Sequence, residues 1–164
     1  MFLPSFFIAR YVRILMMSPA ERAREELGEL ARESLPSKGL YKEFYLKLTL
    51  IVRRYIERAH KIAAPKRTTD EFLREAAGRE DFSPEALEKL RGFLDGADMV
   101  KFAGARATRE MAEDSERDAR EYLKDDASAA AALAEAERMR RKAARRGRPL
   151  FPFLRRKRKG DGDV

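Results

Sequence analysis

Residues 40–61, LYKEFYLKLTLIVRRYIERAHK, carry the clearest hydrophobic period in the chain and constrain its fold more than any other stretch. Tyr41, Phe44, Tyr45, Leu48, Ile51, Val52, Tyr55, Ile56 and Ala59 recur at three- and four-residue spacing. At about 100° per residue they line one broad apolar stripe of a helix, which needs other elements around it. Lys42, Glu43, Lys47, Arg53, Arg54, Glu57 and Arg58 fall outside the stripe. Leu46 and Leu50 lie on the far side, so a second element or a partner must cover part of that face. With Arg53 and Arg54, whose guanidinium groups suit carboxylates, they form the candidate partner-binding set. The plainer reading of the two arginines is solvation, or pairing with Glu57 or a neighbouring helix.

Start and stop signals divide the rest into helices. Ser18, Pro19 and Glu21 form a capping box that opens a helix running to about Ser34, with Ala23, Leu27, Leu30 and Ala31 as its thin apolar stripe. Pro36 and Gly39 force a turn into the central helix. Thr68 and Glu71 open a third helix, with Phe72, Leu73, Ala76 and Ala77 apolar and Gly78 expected to close it in the left-handed conformation. Ser83 and Pro84 start a fourth, with a seam of Leu87, Leu90, Leu94 and Ala97 joined by Phe93. Residues 98–102, DMVKF, read as its tight exit, Val100 and Phe102 turned inward and Asp98 and Lys101 pairing on the surface. Thr108 caps a long last helix that packs through Met111, Ala112, Ser115, Ala119, Tyr122 and Leu123. No strand pattern competes, and the expected fold is an all-α single small bundle of about five helices over residues 18–126.

Composition narrows the chemistry. The chain has no Cys and a single His, His60. Zinc, iron–sulfur and Cys–His catalytic schemes therefore lack their ligand or nucleophile set, and no cofactor is expected. His60, near a helix C-terminus, reads as a surface or capping residue. Asp98 and Lys101 are four positions of one helix turn rather than an acid–base pair, since no nucleophile or second carboxylate is fixed beside them. No catalytic or metal-binding residue is assigned.

The net charge of +8 is unevenly placed. From Arg138 onward twelve basic residues face only Asp161 and Asp163, a net of +10. Residues 1–137 hold the remaining 24 basic and 26 acidic side chains, a net of −2. The basic character thus belongs to residues 127–164, an Ala-rich helical extension followed by a tail. In that tail Arg148, Phe151, Phe153, Arg155, Arg156, Lys157, Arg158 and Lys159 combine cations with apolar anchors. This pattern suits an anionic membrane surface. Sequence-independent contact with nucleic acid and a solubilising tail are the other readings.

Residues 1–17, MFLPSFFIARYVRILMM, are apolar and aromatic but interrupted by Pro4, Arg10 and Arg13. A membrane span needs about 20 mostly apolar residues, so this stretch is too short and too charged to cross alone. It reads as the cytoplasmic end of a truncated membrane helix, as an in-plane interfacial helix, or as a segment packed on the domain. Phe6, Phe7, Arg10 and Arg13 are its candidate membrane-binding residues.

Residues 41–73 and 87–123 resemble a known family. Its marks here are Glu43-Phe44-Tyr45, Arg53-Arg54-Tyr55-Ile56-Glu57, Arg67-Thr68-Thr69-Asp70-Glu71-Phe72 and Ala97-Asp98-Met99-Val100-Lys101-Phe102-Ala103. They are similar to the cytoplasmic domain of small single-span bacterial membrane proteins of unknown function, and to the cytoplasmic tail of the aerotolerance protein BatD. In those relatives, the resemblance implies, the genes lie beside MoxR-type AAA+ ATPases and von Willebrand factor A-domain proteins. The resemblance carries no catalytic residues. Two departures stand out: the full membrane span is missing, and the arginine-rich tail is extra. The expectation is a non-enzymatic adaptor or scaffold at the inner face of the cytoplasmic membrane, with a partner from the MoxR and von Willebrand factor A system. A nucleic-acid-binding module using the tail is the alternative.

Overall fold

The computed structural model describes residues 5–146, with side chains from residue 8 to residue 145 apart from Arg10. The described residues form six α-helices and no strand: α1 (Ser5–Met16), α2 (Pro19–Glu33), α3 (Tyr41–His60), α4 (Thr69–Ala77), α5 (Pro84–Phe102) and α6 (Arg109–Arg146). Short 3₁₀ turns at Pro36–Lys38 and Ala64–Lys66 flank α3. The fold is the all-α bundle that the periodicity predicts.

The helix starts follow from local chemistry. Ser18 and Glu21 close a reciprocal capping box on α2, and Thr68 and Glu71 close another on α4. The Ser83 side chain accepts from the Ala86 amide at α5, and the Thr108 hydroxyl accepts from the Met111 amide at α6. Gly39 sits at φ +73°, a conformation strained for any residue with a Cβ, and delivers the chain into α3. At the other end Lys61 adopts φ 59°, and its amide bonds back to the Glu57 carbonyl. Gly78 departs from expectation: its φ is −85°, so α4 ends in a right-handed turn closed by bonds to Glu75 and Ala76.

Two compact units emerge, Met1–Ala129 and Ala130–Val164. In the first, α3 is central, packed against α2 and α5 and over the Ala64–Lys66 turn, while α4 packs on α5. Phe44, Leu48, Val52, Tyr55 and Ile56 are essentially sealed from solvent. They meet Ala23, Leu27 and Leu30 of α2, Phe72 of α4, Leu90 and Leu94 of α5, and Ala119 and Leu123 of α6 in one core. Each fully buried large side chain of this kind contributes about 1.5 to 3 kcal/mol of transfer free energy. The Tyr45 hydroxyl, within 3.2 Å of the Met111 carbonyl and 3.1 Å of Ser115 Oγ, ties α3 to the start of α6. In the second unit every described side chain is exposed. Its helix rests on high intrinsic propensity, since no apolar face is buried there.

Four sequence readings need correction. Arg53, expected outside the apolar stripe, is 8% exposed, and His60, expected at the surface, is 7% exposed. The cause is that α3 is buried nearly all round, so Thr49, Arg53 and His60, at positions i, i+4 and i+11, form a second, polar buried strip. Lys101 is buried as well, because it continues the Leu90, Leu94, Ala97 seam one step further along α5. Phe102, one residue on and about 100° round the helix, is 76% exposed instead of turned inward. Ala31 and Met111 also face solvent.

Candidate protein-docking groove

The buried polar residues of α3 and α5 form one connected floor. Arg53 Nη1 donates to the carbonyls of Ala64 at 3.0 Å and Arg67 at 2.8 Å, and Nη2 donates to Thr69 Oγ1 at 2.7 Å. Thr69 in turn donates to Asp98 Oδ2 at 2.5 Å. The other oxygen of Asp98 lies 2.6 Å from Lys101 Nζ, which also donates to Thr49 Oγ1 at 3.3 Å. Thr49 passes its own proton to the Tyr45 carbonyl. A chain of five side chains thus joins α3, the start of α4 and the end of α5. Arg53 also satisfies carbonyls that the 3₁₀ turn leaves without helical partners.

Electrostatics fit this geometry. Burial alone would raise the Asp98 carboxyl, but the hydrogen bonds from Lys101 and Thr69 outweigh it and hold the group below the usual carboxylate range. Burial pushes the Arg53 guanidinium down, and the Asp98 charge pulls it part of the way back. The charged groups of the floor satisfy one another. What the arrangement offers chemically is a rigid platform for binding.

Above this floor lies a groove of about 850 Å³, open along one side. Leu46, Leu50 and Pro65 form its apolar walls with Phe102, under which Lys101 Nζ sits 5.1 Å from the ring centroid. Leu46 is 44% exposed and Leu50 half-buried. The rim is of mixed charge, with Lys47, Lys66 and Arg67 against Asp70, Glu71 and Asp95. Three of the four residues nominated from sequence, Leu46, Leu50 and Arg53, therefore share one groove. Arg53 belongs to its floor. Arg54 is exposed and lines a separate small hollow on the α2 side, with Glu26 and Glu33.

A second polar cluster lies under the far end of α3. His60 Nε2 lies 2.8 Å from Asp126 Oδ2 and Nδ1 lies 2.9 Å from Asp81 Oδ2. The Tyr55 hydroxyl donates to the same Asp126 oxygen at 2.6 Å, and Arg79 holds Asp81 by two 2.8 Å bonds. Sequence reasoning missed Thr49, Thr69, Asp81 and Asp126. Their partners lie 16 to 71 residues away, beyond any local spacing rule. The one available signal was His60 itself, a lone imidazole on a helix with little exposed surface.

At the N-terminus, Ile8, Tyr11, Val12, Leu15 and Met16 recur at helical spacing on α1 and are 49 to 81% exposed. They form an apolar stripe that nothing described covers. Arg13 is exposed in the last turn. The side chains of Phe6, Phe7 and Arg10 lie outside the described residues, as do Arg148, Phe151, Phe153, Arg155, Arg156, Lys157, Arg158 and Lys159. No helix among the described residues is long and apolar enough to cross a membrane, and no group of His, Asp and Glu there could hold a metal ion. Comparison with protein-family models, with curated proteins and with solved structures gives no match.

Proposed function

We propose that this protein is a non-enzymatic, membrane-associated adaptor whose groove between α3, α4 and α5 docks a protein partner. The observation that carries this reading is the pairing of exposed Leu46 and Phe102 with a floor whose polar groups bond one another. Large apolar side chains at a groove lip gain by being covered, and a pinned floor gives a partner little reorganisation to drive. The sequence resemblance supplies the class of partner: a MoxR-type AAA+ ATPase or a von Willebrand factor A-domain protein.

The apolar stripe of α1 supports the membrane part. A helix of 12 residues spans about 18 Å, too short to cross but suited to lying in the interface with its apolar face down. The basic tail adds attraction to anionic lipid of about 1 kcal/mol per cation near the surface. Both contacts place the domain at the inner face of the cytoplasmic membrane.

A pull-down with the MoxR-type ATPase of the same genome tests the reading. Wild-type chain should retain the ATPase, and Phe102→Asp and Leu46→Asp should lose it while remaining folded. Absence of ATPase binding, together with duplex DNA binding that falls steeply between two salt concentrations, would favour the nucleic-acid alternative, for which exposed Arg138, Arg140, Arg141, Lys142 and Arg145 on α6 offer the charge. Co-sedimentation with anionic vesicles, weakened by salt and by deletion of residues 148–164, checks the membrane contact.

A further inference from the structure

A second concavity, separate from the docking groove, lies between α5 and α6. Its larger part is a cleft of about 440 Å³, within the size range of small-molecule sites. Val52, Leu90, Phe93, Ala119 and the Tyr122 ring line its apolar base. A smaller hollow of about 230 Å³ adjoins it, with Glu85, Lys89 and Tyr122 common to both. The hollow adds Asp81, Asp125 and Asp126.

Two observations about this concavity point the same way. The first is charge: among the described residues Lys89 is the sole cation lining either part, and its Nζ already lies 3.8 Å from Glu121 and 3.7 Å from Asp125. Glu85, Glu88 and Asp118 line the cleft with no cation of the described residues in ion-pair reach. The second is an orphan group. Tyr122 is 7% exposed, and its hydroxyl is buried without a hydrogen-bond partner among the described residues. Nearly all buried polar groups have one, and leaving a hydroxyl without it is destabilising. The Asp126 and Asp81 charges act on this hydroxyl, which sets it on the side of the smaller hollow.

We propose that the α5–α6 cleft binds a small organic cation with an apolar body, an arylalkylamine in chemical class. The body lies on Leu90, Phe93 and Ala119. The ammonium enters the smaller hollow, where the Tyr122 hydroxyl accepts one of its protons and the carboxylates of the rim offset its charge. Such a ligand meets both unfilled requirements of the site at once. A neutral ligand of the same shape meets only the apolar one, and an anion is repelled.

The experiment is a two-dimensional amide NMR titration of the full chain with phenethylamine, phenylethanol and phenylacetate. Phenethylamine should give saturable shifts around Leu90, Ala119 and Tyr122 that weaken with salt. Phenylethanol should bind about tenfold more weakly or worse, the scale of one charge-assisted hydrogen bond, and phenylacetate should not bind. Two variants keep the proposal exposed to failure. A Cβ on Gly92 would meet nothing within 4 Å, so Gly92→Leu should fill the mouth of the cleft, abolish the shifts and leave the helix content intact. Tyr122→Phe keeps the ring and removes the orphan oxygen, so it should weaken phenethylamine several-fold without lowering the melting temperature. No saturable shift with phenethylamine, equal binding of phenylacetate, or undiminished binding to Gly92→Leu would overturn the assignment.

Discussion

His60 at the end of α3 and Asp126 on α6 meet at 2.8 Å across 66 residues of chain, and both side chains are only 6% exposed. Asp81 occupies the other ring nitrogen at 2.9 Å, so carboxylates face both sides of the imidazole. A carboxylate accepts and does not donate, which makes the doubly protonated, cationic ring the form that fits.

This sandwich predicts how stability varies with pH. Burial pushes the His60 pKa down, but the bonds from Asp126 and Asp81 outweigh it, and the net shift is upward from 6.5. A raised folded value means that the His60 contribution is complete below pH 6.5 and is lost as pH rises through the folded value. Asp81 acts at the other end. Its hydrogen bonds from Arg79, helped by His60, hold it well below 3.8, so its contribution is present above that value and lost as pH falls. Urea unfolding should therefore give a plateau from about pH 4 to 6.5 and a decline on both sides. In a His60→Phe variant the alkaline decline should vanish; its persistence there would sink this assignment.

Removing Asp126 strands two donors together, His60 and Tyr55. Asp126→Ala should cost about 3 to 5 kcal/mol, the range for breaking a buried charged pair from one side. A double-mutant cycle with Tyr55→Phe should show coupling of at least about 0.5 kcal/mol, because both residues share one carboxylate oxygen. Additive losses would mean that the shared oxygen is not what holds them.

Leu48 and Ile56 are fully buried at the centre of the core. Replacing either by Ala should cost about 2 to 5 kcal/mol in chemical unfolding, through lost transfer energy and the cavity left behind. A loss under about 1 kcal/mol would be incompatible with α3 as the central helix.

Arg53 and Phe102 should separate stability from docking. Phe102→Ser, at a side chain 76% exposed, should change stability by no more than about 0.5 kcal/mol while weakening partner capture. Arg53→Leu removes all three donors from the floor and leaves the Ala64 and Arg67 carbonyls and Thr69 without them. It should cost about 2 to 4 kcal/mol, since several buried acceptors lose their partner at once. The ordering of the two losses, measured by thermal and urea unfolding, is the test.

The helices and their limits were readable along the chain because the forces that set them are local. Ser18 with Glu21, and Thr68 with Glu71, close their capping boxes within one turn, and the stripe of α3 repeats within a few residues. The split of charge between a near-neutral body and a basic end is likewise a property of the sequence alone. Tertiary structure decided the fate of the polar side chains. Whether Arg53, His60 and Lys101 face water or a partner depends on which helix arrives beside them. Their partners, Thr69, Asp126 and Asp98 with Thr49, come from other elements for all but one bond. A charge among apolar residues is outward by default when only its own helix is considered, because burial without a partner is prohibitive. The bundle supplied those partners at 2.5 to 3.3 Å and so made burial possible. The same packing turned Phe102 out, because a helix that spends its inward position on Lys101 must present the next residue about 100° away to solvent.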